Sequence, residues 1–336
     1  MGGPYAGGMT EDPRIDELSE GRILRGILDR LGATHALVGP GDDAAVIAAA
    51  DARVVATVDT LVHGPDFRLA WSSGYDLGWK AAAVNLADVA AMGARPTALL
   101  VALAMPGHTR LSFVEAMADG LRDACGTLAP GCAVEGGDLT VSDTLTIAVT
   151  ALGSLDGRAP VLRSGAREGD VVAVAGEVGA AARGLDILFR RFRDVAGEPV
   201  PVEFEDLDTG ERACVVTQLR PSPPVALGPV AADAGATAMM DVSDGIGLDA
   251  GRMADASGVT LSIDSAALGP RRGWSVDGGE DHALLATFPP GVALPAGFRA
   301  VGTVVPRAET AVVVDGEPYD GPGGWDPYRD WDSEIG

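Results

Sequence analysis

Short clusters of aspartate beside glycine or serine recur along the chain, several of them directly after stretches that read as strands. The segments are GPGDDAAVI (39–47), ATVDTL (56–61), VNLADVAAMGA (84–94), EGGDLT (135–140) and DVSDGIGLD (241–249). An aspartate in a tight turn can aim its oxygens at a hard cation, and carboxylate and hydroxyl oxygens are the ligands that Mg²⁺ prefers. The set predicts a magnesium site that also holds phosphates, although each cluster alone is more often a hydrogen-bonded turn.

Asp88 gives the strongest single indication of such a site. It follows Val84 by four residues and Ala81 by seven, so a helix over 76–92 places it on the apolar stripe. A carboxylate is rarely left unpaired in that position. A metal ligand explains it, and so does a buried aspartate that caps a neighbouring loop or pairs with Lys80.

Asp59 is the second indication. Residues 53–59 are rich in β-branched side chains and predict a strand. Period-two alternation then places Val55, Thr57 and Asp59 on one face, and Thr60 adds a further hydroxyl. The alternative for Asp59 is an ordinary aspartate at the end of a strand.

The elements that must position these residues alternate between helix and strand in the first half of the chain. Helices are expected over 16–31, 76–92 and 113–125, and strands over 53–59, 97–105, 132–138 and 144–152. Gly93 and Pro96 end the second helix. A turn-rich stretch near 155–165 then marks a boundary.

The second half restarts with the same alternation, which predicts α/β or α+β layers on both sides of the boundary. The Pro- and acid-rich residues 195–212 are expected to form a loop. The expected elements are helices over 179–192 and 248–258 and strands over 171–176, 236–242, 259–264, 283–288, 299–305 and 310–316. We expect a flexible leader over 1–12, an N-terminal domain over 13–157 and a C-terminal domain over 158–336.

Composition excludes several functions. Asp plus Glu number 48 against 25 Lys plus Arg, and the formal charge of -23 makes nucleic acid or an anionic membrane surface an improbable partner. Lys80 is the single lysine and lies in GWKAA, so a GxxxxGK[ST] phosphate-binding loop does not occur. The 3 cysteines form no CxxC pair, which favours a reducing cytoplasm over a disulfide framework. The apolar runs are too short to cross a membrane.

Taken together, the motifs resemble those of thiamine-monophosphate kinases, in the same order and at similar spacing from residue 39 to about 288. They are GPGDDAAVI, TVDTLVHG, WKAAAVNLADVAAMGARP, EGGD, RSGAREGD, LRPSPP, DVSDGIGLD and GGEDHALL. The wider superfamily includes the aminoimidazole ribonucleotide synthetases. The resemblance implies a two-domain α/β fold that binds ATP without a P-loop. It also implies a homodimer in which the N-terminal sheets pair, with ATP between the subunits.

The activity implied by the resemblance is phosphorylation of thiamine phosphate to thiamine diphosphate, by direct transfer from ATP with several Mg²⁺ ions. The implied metal ligands are Asp43, Thr57, Asp59, Asp88, Asp138, Asp241 and Asp244, with Asp42 in support. The implied ATP contacts are Gly137, Asp138, Arg163 and Ser243.

The residues implied to contact the acceptor are Asp66, Glu280 and Trp325. Glu280 suits this role chemically, because the thiazolium ring of thiamine carries a permanent positive charge. Trp325 can stack on a thiamine ring or simply anchor the C-terminal tail. Asp66 stands where the family usually has histidine, and the segment 265–277 is shorter than in the family.

Two other functions stay open on the sequence. One is another ATP-dependent enzyme of the same superfamily with a different acceptor. Asp66 and the short 265–277 segment are the reasons for considering it. The other is a non-catalytic protein that binds nucleotide or metal. The number of aspartates in the motifs favours catalysis, because binding alone does not require so many.

Overall fold

Two sheets, one in each half of the chain, organise the residues that the structure describes. The structure is a computed structural model, and it describes residues 12–39 and 44–321 without the side chain of Arg272. Within those residues the first sheet has four strands and the second has seven. The mixture of helices and strands in both halves confirms the predicted α/β class.

The first sheet runs in the order β1-β4-β2-β3, with β2 and β3 parallel and the other neighbours antiparallel. Its strands are β1 (Val55–Val62), β2 (Arg95–Met105), β3 (Ala133–Val141) and β4 (Thr146–Ser154). The helices of this half are α1 (Glu20–Leu31), α2 (Gly74–Ala91) and α3 (Leu111–Leu128). Both α2 and α3 pack on one face of the sheet and bury side chains such as Leu99, Ile147 and Val149.

Helices α2 and α3 approach each other closely through glycines. A Cβ at Gly78 would lie 2.0 Å from the carbonyl oxygen of Met117, and one at Gly120 would lie 2.1 Å from that of Tyr75. Ser73 caps the start of α2, and its hydroxyl accepts a hydrogen bond from the backbone N–H of Asp76. Small residues and a firm cap therefore hold α2, the helix that carries Lys80 and Asp88, tightly against its neighbours.

The second sheet runs in the order β11-β10-β7-β9-β5-β8-β6. Its strands are β5 (Val171–Ala175), β6 (Ala238–Val242), β7 (Thr260–Ile263), β8 (Ala283–Phe288), β9 (Phe298–Val305), β10 (Val312–Val314) and β11 (Glu317–Pro318). The helices are α4 (Ala180–Arg191), α5 (Thr209–Leu219), α6 (Leu227–Asp233), α7 (Ile246–Ser257) and α8 (Arg272–Asp277). Every residue of β8 is buried, which explains why its sequence is apolar apart from Thr287 and does not alternate.

The expected loop over 195–212 was wrong at its C-terminal end, where α5 begins. The Asp208 side chain accepts from the backbone N–H of Glu211, and the Glu211 side chain accepts from the backbone N–H of Asp208. Acid-rich composition concealed this capping box, since the same residues are typical of loops. Three further differences concern helices: α6 and α8 were not predicted, and the helix expected over 16–31 begins at Glu20, after a short 3-10 turn at Ile15–Glu17.

The division between domains at residues 157 and 158 stays a prediction. The first sheet ends at Ser154 and the second begins at Val171. Helix α2 also packs beyond that boundary, because a Cβ at Gly228 of α6 would lie 2.1 Å from the carbonyl oxygen of Ala90. No helix in the described residues has both the length and the apolar character needed to cross a membrane.

Candidate active site

Strand β1 presents Thr57 and Asp59 toward α2. The Thr57 hydroxyl donates to Oδ2 of Asp88 at 2.7 Å, and the backbone N–H of Asp59 donates to Oδ1 of Asn85 at 3.1 Å. The alternating exposure along β1 matches the predicted alternation of its faces. The sequence did not single out Asn85, which is 1% exposed and ties the strand to the helix beside Asp88.

Asp88 lies among other carboxylates instead of pairing with a cation. Burial and the negative charges of Asp241 and Asp59 raise the pKa of Asp88 to about 7, against the hydrogen bond from Thr57. The proposed alternative of a pair with Lys80 was wrong, because the Lys80 ammonium group contacts Glu280. A site that gathers like charges in this way favours the binding of a cation.

Asp241 comes from the other half of the chain, at the end of β6. Its Oδ2 lies 3.1 Å from Nδ1 of His282. Burial opposes protonation of His282, but the hydrogen bond and charge of Asp241, together with the charges of Glu280 and Asp88, raise the pKa of the imidazole. The sequence did not single out His282 as a site residue, because its contact with Asp241 depends on the fold.

The loop between β6 and α7 holds Ser243 and Asp244. One nitrogen of Arg252 contacts Oδ2 of Asp244 at 2.6 Å and Oδ1 of Asp249 at 2.7 Å. The backbone N–H of Asp244 also donates to Oδ2 of Asp249 at 2.9 Å. Asp244 follows Asp241 closely in the sequence, and its carboxylate is paired with Arg252.

The GGED loop (residues 278–281) packs directly on this β6–α7 loop. A Cβ at Gly279 would lie 2.0 Å from the carbonyl oxygen of Ser243, so a side chain at this position would clash. The backbone N–H of Glu280 donates to the same oxygen at 2.8 Å. Glu280 and His282 adopt φ values of 68° and 55°, a left-handed conformation that is uncommon outside glycine and is often found at functional sites.

Glu280 faces a cavity of about 560 Å³ between the two halves of the chain. Its Oε2 accepts hydrogen bonds from Nζ of Lys80 and Nε2 of Gln218, both at 2.6 Å. Burial works against the ionised form, but the Lys80 charge and the two hydrogen bonds hold the pKa of Glu280 below its ordinary value. Lys80 and Gln218 were missed as site residues, although the occurrence of a single lysine inside an apolar helix was a usable signal.

Asp66 lines the same cavity, in the loop after β1. Its Oδ2 accepts from the backbone N–H of Val62 at 2.7 Å. Burial and the nearby charge of Glu280 raise the pKa of Asp66, against that hydrogen bond and the charges of Lys80 and Arg68. Aromatic side chains of Trp71, Phe189 and Trp274 also line the cavity, which gives flat apolar walls near the acidic groups of Asp66 and Glu280.

Gly137 and Asp138 lie away from the carboxylates described above. The backbone register aligns Asp59 with Val149, Val101 and Gly137 across the sheet, so Asp138 points to the opposite face. Three strand spacings separate β1 from β3, or about 14 Å. Both residues line a second cavity, of about 960 Å³, together with apolar side chains of α1.

The other residues singled out in the sequence are placed as follows. Arg163 is exposed in the segment between the two sheets, and its carbonyl oxygen accepts from the Ser257 hydroxyl at 3.0 Å. Asp42, Asp43 and Trp325 lie outside the described residues. Thr57, Asp59, Asp88 and Asp241 are brought together, and Ser243, Asp244 and Glu280 lie next to them.

The donor set suits Mg²⁺ bound together with phosphates. Within residues 12–39 and 44–321, no three acidic, histidine or cysteine side chains form a group that could hold a metal ion by itself. Mg²⁺ usually keeps several waters and is held by one or two carboxylates plus substrate phosphates. The hydroxyl of Thr57 and the carboxylates of Asp59, Asp88 and Asp241 are hard oxygen donors of that kind.

Comparisons with known proteins agree with this geometry. The family model described as AIR synthase related protein, N-terminal domain, matches residues 41–155. The thiamine-monophosphate kinase of Mycobacterium tuberculosis (strain CDC 1551 / Oshkosh) is 39% identical over 97% of this chain and 96% of its own length.

Solved structures show the same likeness in three dimensions. Thiamine-monophosphate kinase from Stenotrophomonas maltophilia K279a has a TM-score of 0.72 and 31% identity, covering 89% of this chain and 96% of that chain. The structure of AaThiL complexed with AMPPCP and TMP has a TM-score of 0.70 and 28% identity, covering 93% and 98%. The motifs, the fold and a sequence similarity that extends over nearly the whole chain agree, and the chain belongs to the thiamine-monophosphate kinase family.

Proposed function

We propose that this protein transfers the γ-phosphoryl group of ATP to thiamine phosphate, giving thiamine diphosphate and ADP. The observation that carries the proposal is the meeting of Asp59, Asp88 and Asp241, from both halves of the chain, beside the cavity that Glu280 lines. The three carboxylates at one end of the site suit metal-bound phosphates, and the Glu280 carboxylate at the other end suits a cationic ring. The relative AaThiL has been solved with AMPPCP and TMP, which supports the same pair of substrates here.

Mg²⁺ is the cation that we propose for the carboxylates. Thr57, Asp59, Asp88, Asp241 and Asp244 would hold it, with Asp138 as a further ligand. When bound, Mg²⁺ neutralises the repulsion between two anionic substrates and orients their phosphates for in-line transfer. We also retain Asp43 as a proposed ligand and Asp42 in support, both outside the described residues.

We propose that residues of the cavity bind thiamine phosphate and that residues of the surrounding loops and of β3 bind ATP. Glu280 contacts the thiazolium cation, and Asp66 supplies a second negative group in the same cavity. The contacts to ATP are assigned to Gly137, Asp138, Arg163 and Ser243. Trp325, which lies outside the described residues, stays a proposed stacking partner of the acceptor.

The reaction requires no strong general base. An ionised oxygen of the acceptor phosphate attacks the γ-phosphorus, a new P–O bond forms, and the bond to the bridging oxygen of ADP breaks. The acceptor oxygen is already deprotonated near neutral pH, so no side chain has to remove a proton. We expect direct transfer without a phosphoenzyme.

We propose a homodimer in which two N-terminal sheets pair through the face opposite α2 and α3. Val58 is 61% exposed on that face, and Asp138 is exposed there as well. Asp138 points away from Asp59 of its own chain. In the proposed dimer it would instead lie near the metal-binding carboxylates of the other subunit. The free, buried Cys125, Cys132 and Cys214 fit a reducing cytoplasm, which is the location we propose.

The proposed reaction is tested with purified protein, ATP, MgCl₂ and thiamine phosphate, with ADP and thiamine diphosphate quantified together. We expect equal amounts of both products, and none with unphosphorylated thiamine, which lacks the attacking phosphate oxygen. Consumption of ATP with another acceptor, but no thiamine diphosphate, would show that the acceptor is wrong. No ADP with any acceptor would indicate a non-catalytic binding protein.

A further inference from the structure

Lys80 is an unusual residue in this chain because it is both the single lysine and buried. It lies on α2 and is 6% exposed. Its ammonium nitrogen is 2.6 Å from Oε2 of Glu280, so the ion pair joins the N-terminal helix to the GGED loop of the C-terminal half. Burying a lysine without a partner is costly, and this pairing supplies the compensating charge.

Gln218, at the end of α5, completes the arrangement from a third element. It is 4% exposed, and its Nε2 donates to the same oxygen of Glu280 at 2.6 Å. Among the side chains that the structure describes, the hydrogen bonds to the Glu280 carboxylate converge on Oε2. The second oxygen, Oε1, is therefore the one left to meet a ligand in the cavity.

Helix α2 also links this arrangement to the reacting centre. Lys80 and Asp88 are eight residues apart on one rigid helix, which corresponds to a rise of about 12 Å. The residues of α2 between them are all buried, including Ala82, Val84 and Leu86. A single element, α2, thus sets the distance between Asp88 and the contact of Lys80 with Glu280.

We propose that Lys80 and Gln218 are positioning residues that orient Glu280 as an anion toward a cationic ring of the acceptor. This inference rests on the function proposed above and deepens it. Helix α2 then matches the site to acceptors that carry a phosphate at one end and a positive ring at the other. The lowered pKa of Glu280 supports this assignment, because the carboxylate stays charged although it is partly buried.

The first experiment measures kinetics for Lys80→Met, Gln218→Leu, Glu280→Gln and the double variant Lys80→Met/Glu280→Gln. For Lys80→Met we expect KM for thiamine phosphate to rise roughly tenfold or more, as for the loss of a charged hydrogen bond. KM for ATP and kcat should stay within about twofold of the wild type. The double variant should be no worse than Glu280→Gln, because Lys80 acts through that carboxylate.

Arg158→Met is the matched control. It breaks another ion pair of 2.6 Å, between Arg158 and Asp233, which does not line the cavity. A purely structural role of Lys80 would raise the KM values of both substrates or lower kcat, and would add to the effect of Glu280→Gln. Either result would overturn the proposal. Gln218→Leu, which leaves the ion pair intact, provides an independent answer if Lys80→Met does not fold.

The second experiment needs no turnover and uses the single lysine. Labelling lysine with ¹⁵N gives one side-chain ammonium signal from an untagged protein. We expect the signal to shift in Glu280→Gln and when thiamine phosphate is added, and to stay in place in Arg158→Met. A signal that does not respond to thiamine phosphate would overturn the positioning role. Failure of the proposed function is distinguished by the wild-type assay, which would yield no thiamine diphosphate.

Discussion

Asp88 illustrates how much of this site rests on single residues held at an energetic cost. Its carboxylate is largely buried beside Asp59 and Asp241, and these charges raise its pKa to about 7. Carboxylates that repel one another destabilise the folded protein near neutral pH, since the charged form is favoured in the unfolded chain. Binding of the proposed Mg²⁺ would reverse that sign, so the residues that cost stability would also create the affinity for the metal.

Asp88→Asn is expected to stabilise the metal-free protein. The amide keeps an oxygen that accepts from Thr57 but removes one of three neighbouring negative charges. At pH 8 the free energy of unfolding should rise by about 1–3 kcal/mol in EDTA. Added MgCl₂ should raise the melting temperature of the wild type more than that of the variant. Thermal unfolding with and without Mg²⁺ measures both effects, and a variant less stable than wild type in EDTA would contradict the argument.

Asp59→Asn is expected to remove activity without removing the fold. The backbone N–H of Asp59 makes the contact with Asn85, so the strand keeps its link to α2 when the carboxylate is lost. We expect kcat to fall at least ~10²-fold, as for other losses of charge stabilisation at a reacting centre. Asp29→Asn, the same change at an exposed position on α1, serves as the control. Near-normal turnover of Asp59→Asn would exclude Asp59 as a metal ligand.

At the scale of elements, α2 is the part that organises the site. It contributes Asn85 and Asp88, which contact β1, and Lys80, which contacts Glu280 in the C-terminal half. Its position depends on glycines that let α3 approach backbone to backbone. Any change that moves α2 away from the sheet should therefore disturb both the carboxylates and the cavity.

Gly78→Ala tests this dependence. The new Cβ would lie 2.0 Å from the carbonyl oxygen of Met117, which forces the helices apart. We expect a loss of about 2–3 kcal/mol in the free energy of unfolding and weaker binding of both substrates. Gly126→Ala in α3 is a matched control, because nothing lies within 4 Å of its Cβ, and it should stabilise slightly. Denaturant unfolding compares the two, and equal stabilities would refute the close-packing argument.

At the scale of the whole molecule, the acidic chain brings Asp59, Asp88 and Asp241 together from its two halves, where we propose that they bind phosphates through a cation. The formal charge of -23 otherwise opposes anionic ligands. Asp138 is the exception to this gathering, since it lies on the far face of the first sheet. A dimer through that face would explain why one chain leaves it apart.

Mixing inactive variants tests the two-chain arrangement. Asp59→Asn and Asp138→Asn should each be inactive as homodimers, but a mixed dimer would contain one site with neither substitution. We expect activity to return after the two proteins are unfolded and refolded together, up to roughly a quarter of the wild-type value if pairing is random. Refolding each variant alone is the control. No recovery, despite dimers detected by light scattering, would place both aspartates in the same chain's site.

The sequence by itself determined the chemistry that this chain can perform. The aspartate clusters, the period-two alternation around Asp59 and the place of Asp88 on an apolar helix indicated hard-cation and phosphate chemistry. The single lysine excluded a P-loop. Each of these signals is local, because strand and helix periodicity assign side chains to faces without knowledge of the rest of the fold.

Only the tertiary structure decided which of these residues meet. It brought Asp241 to Asp88, paired Lys80 with Glu280 rather than with Asp88, and set Asp138 on the opposite face of its sheet. These outcomes depend on packing between segments far apart in the chain, through glycine contacts and helix positions that no local pattern encodes. Residue types therefore specify the chemistry, and long-range packing specifies the partners.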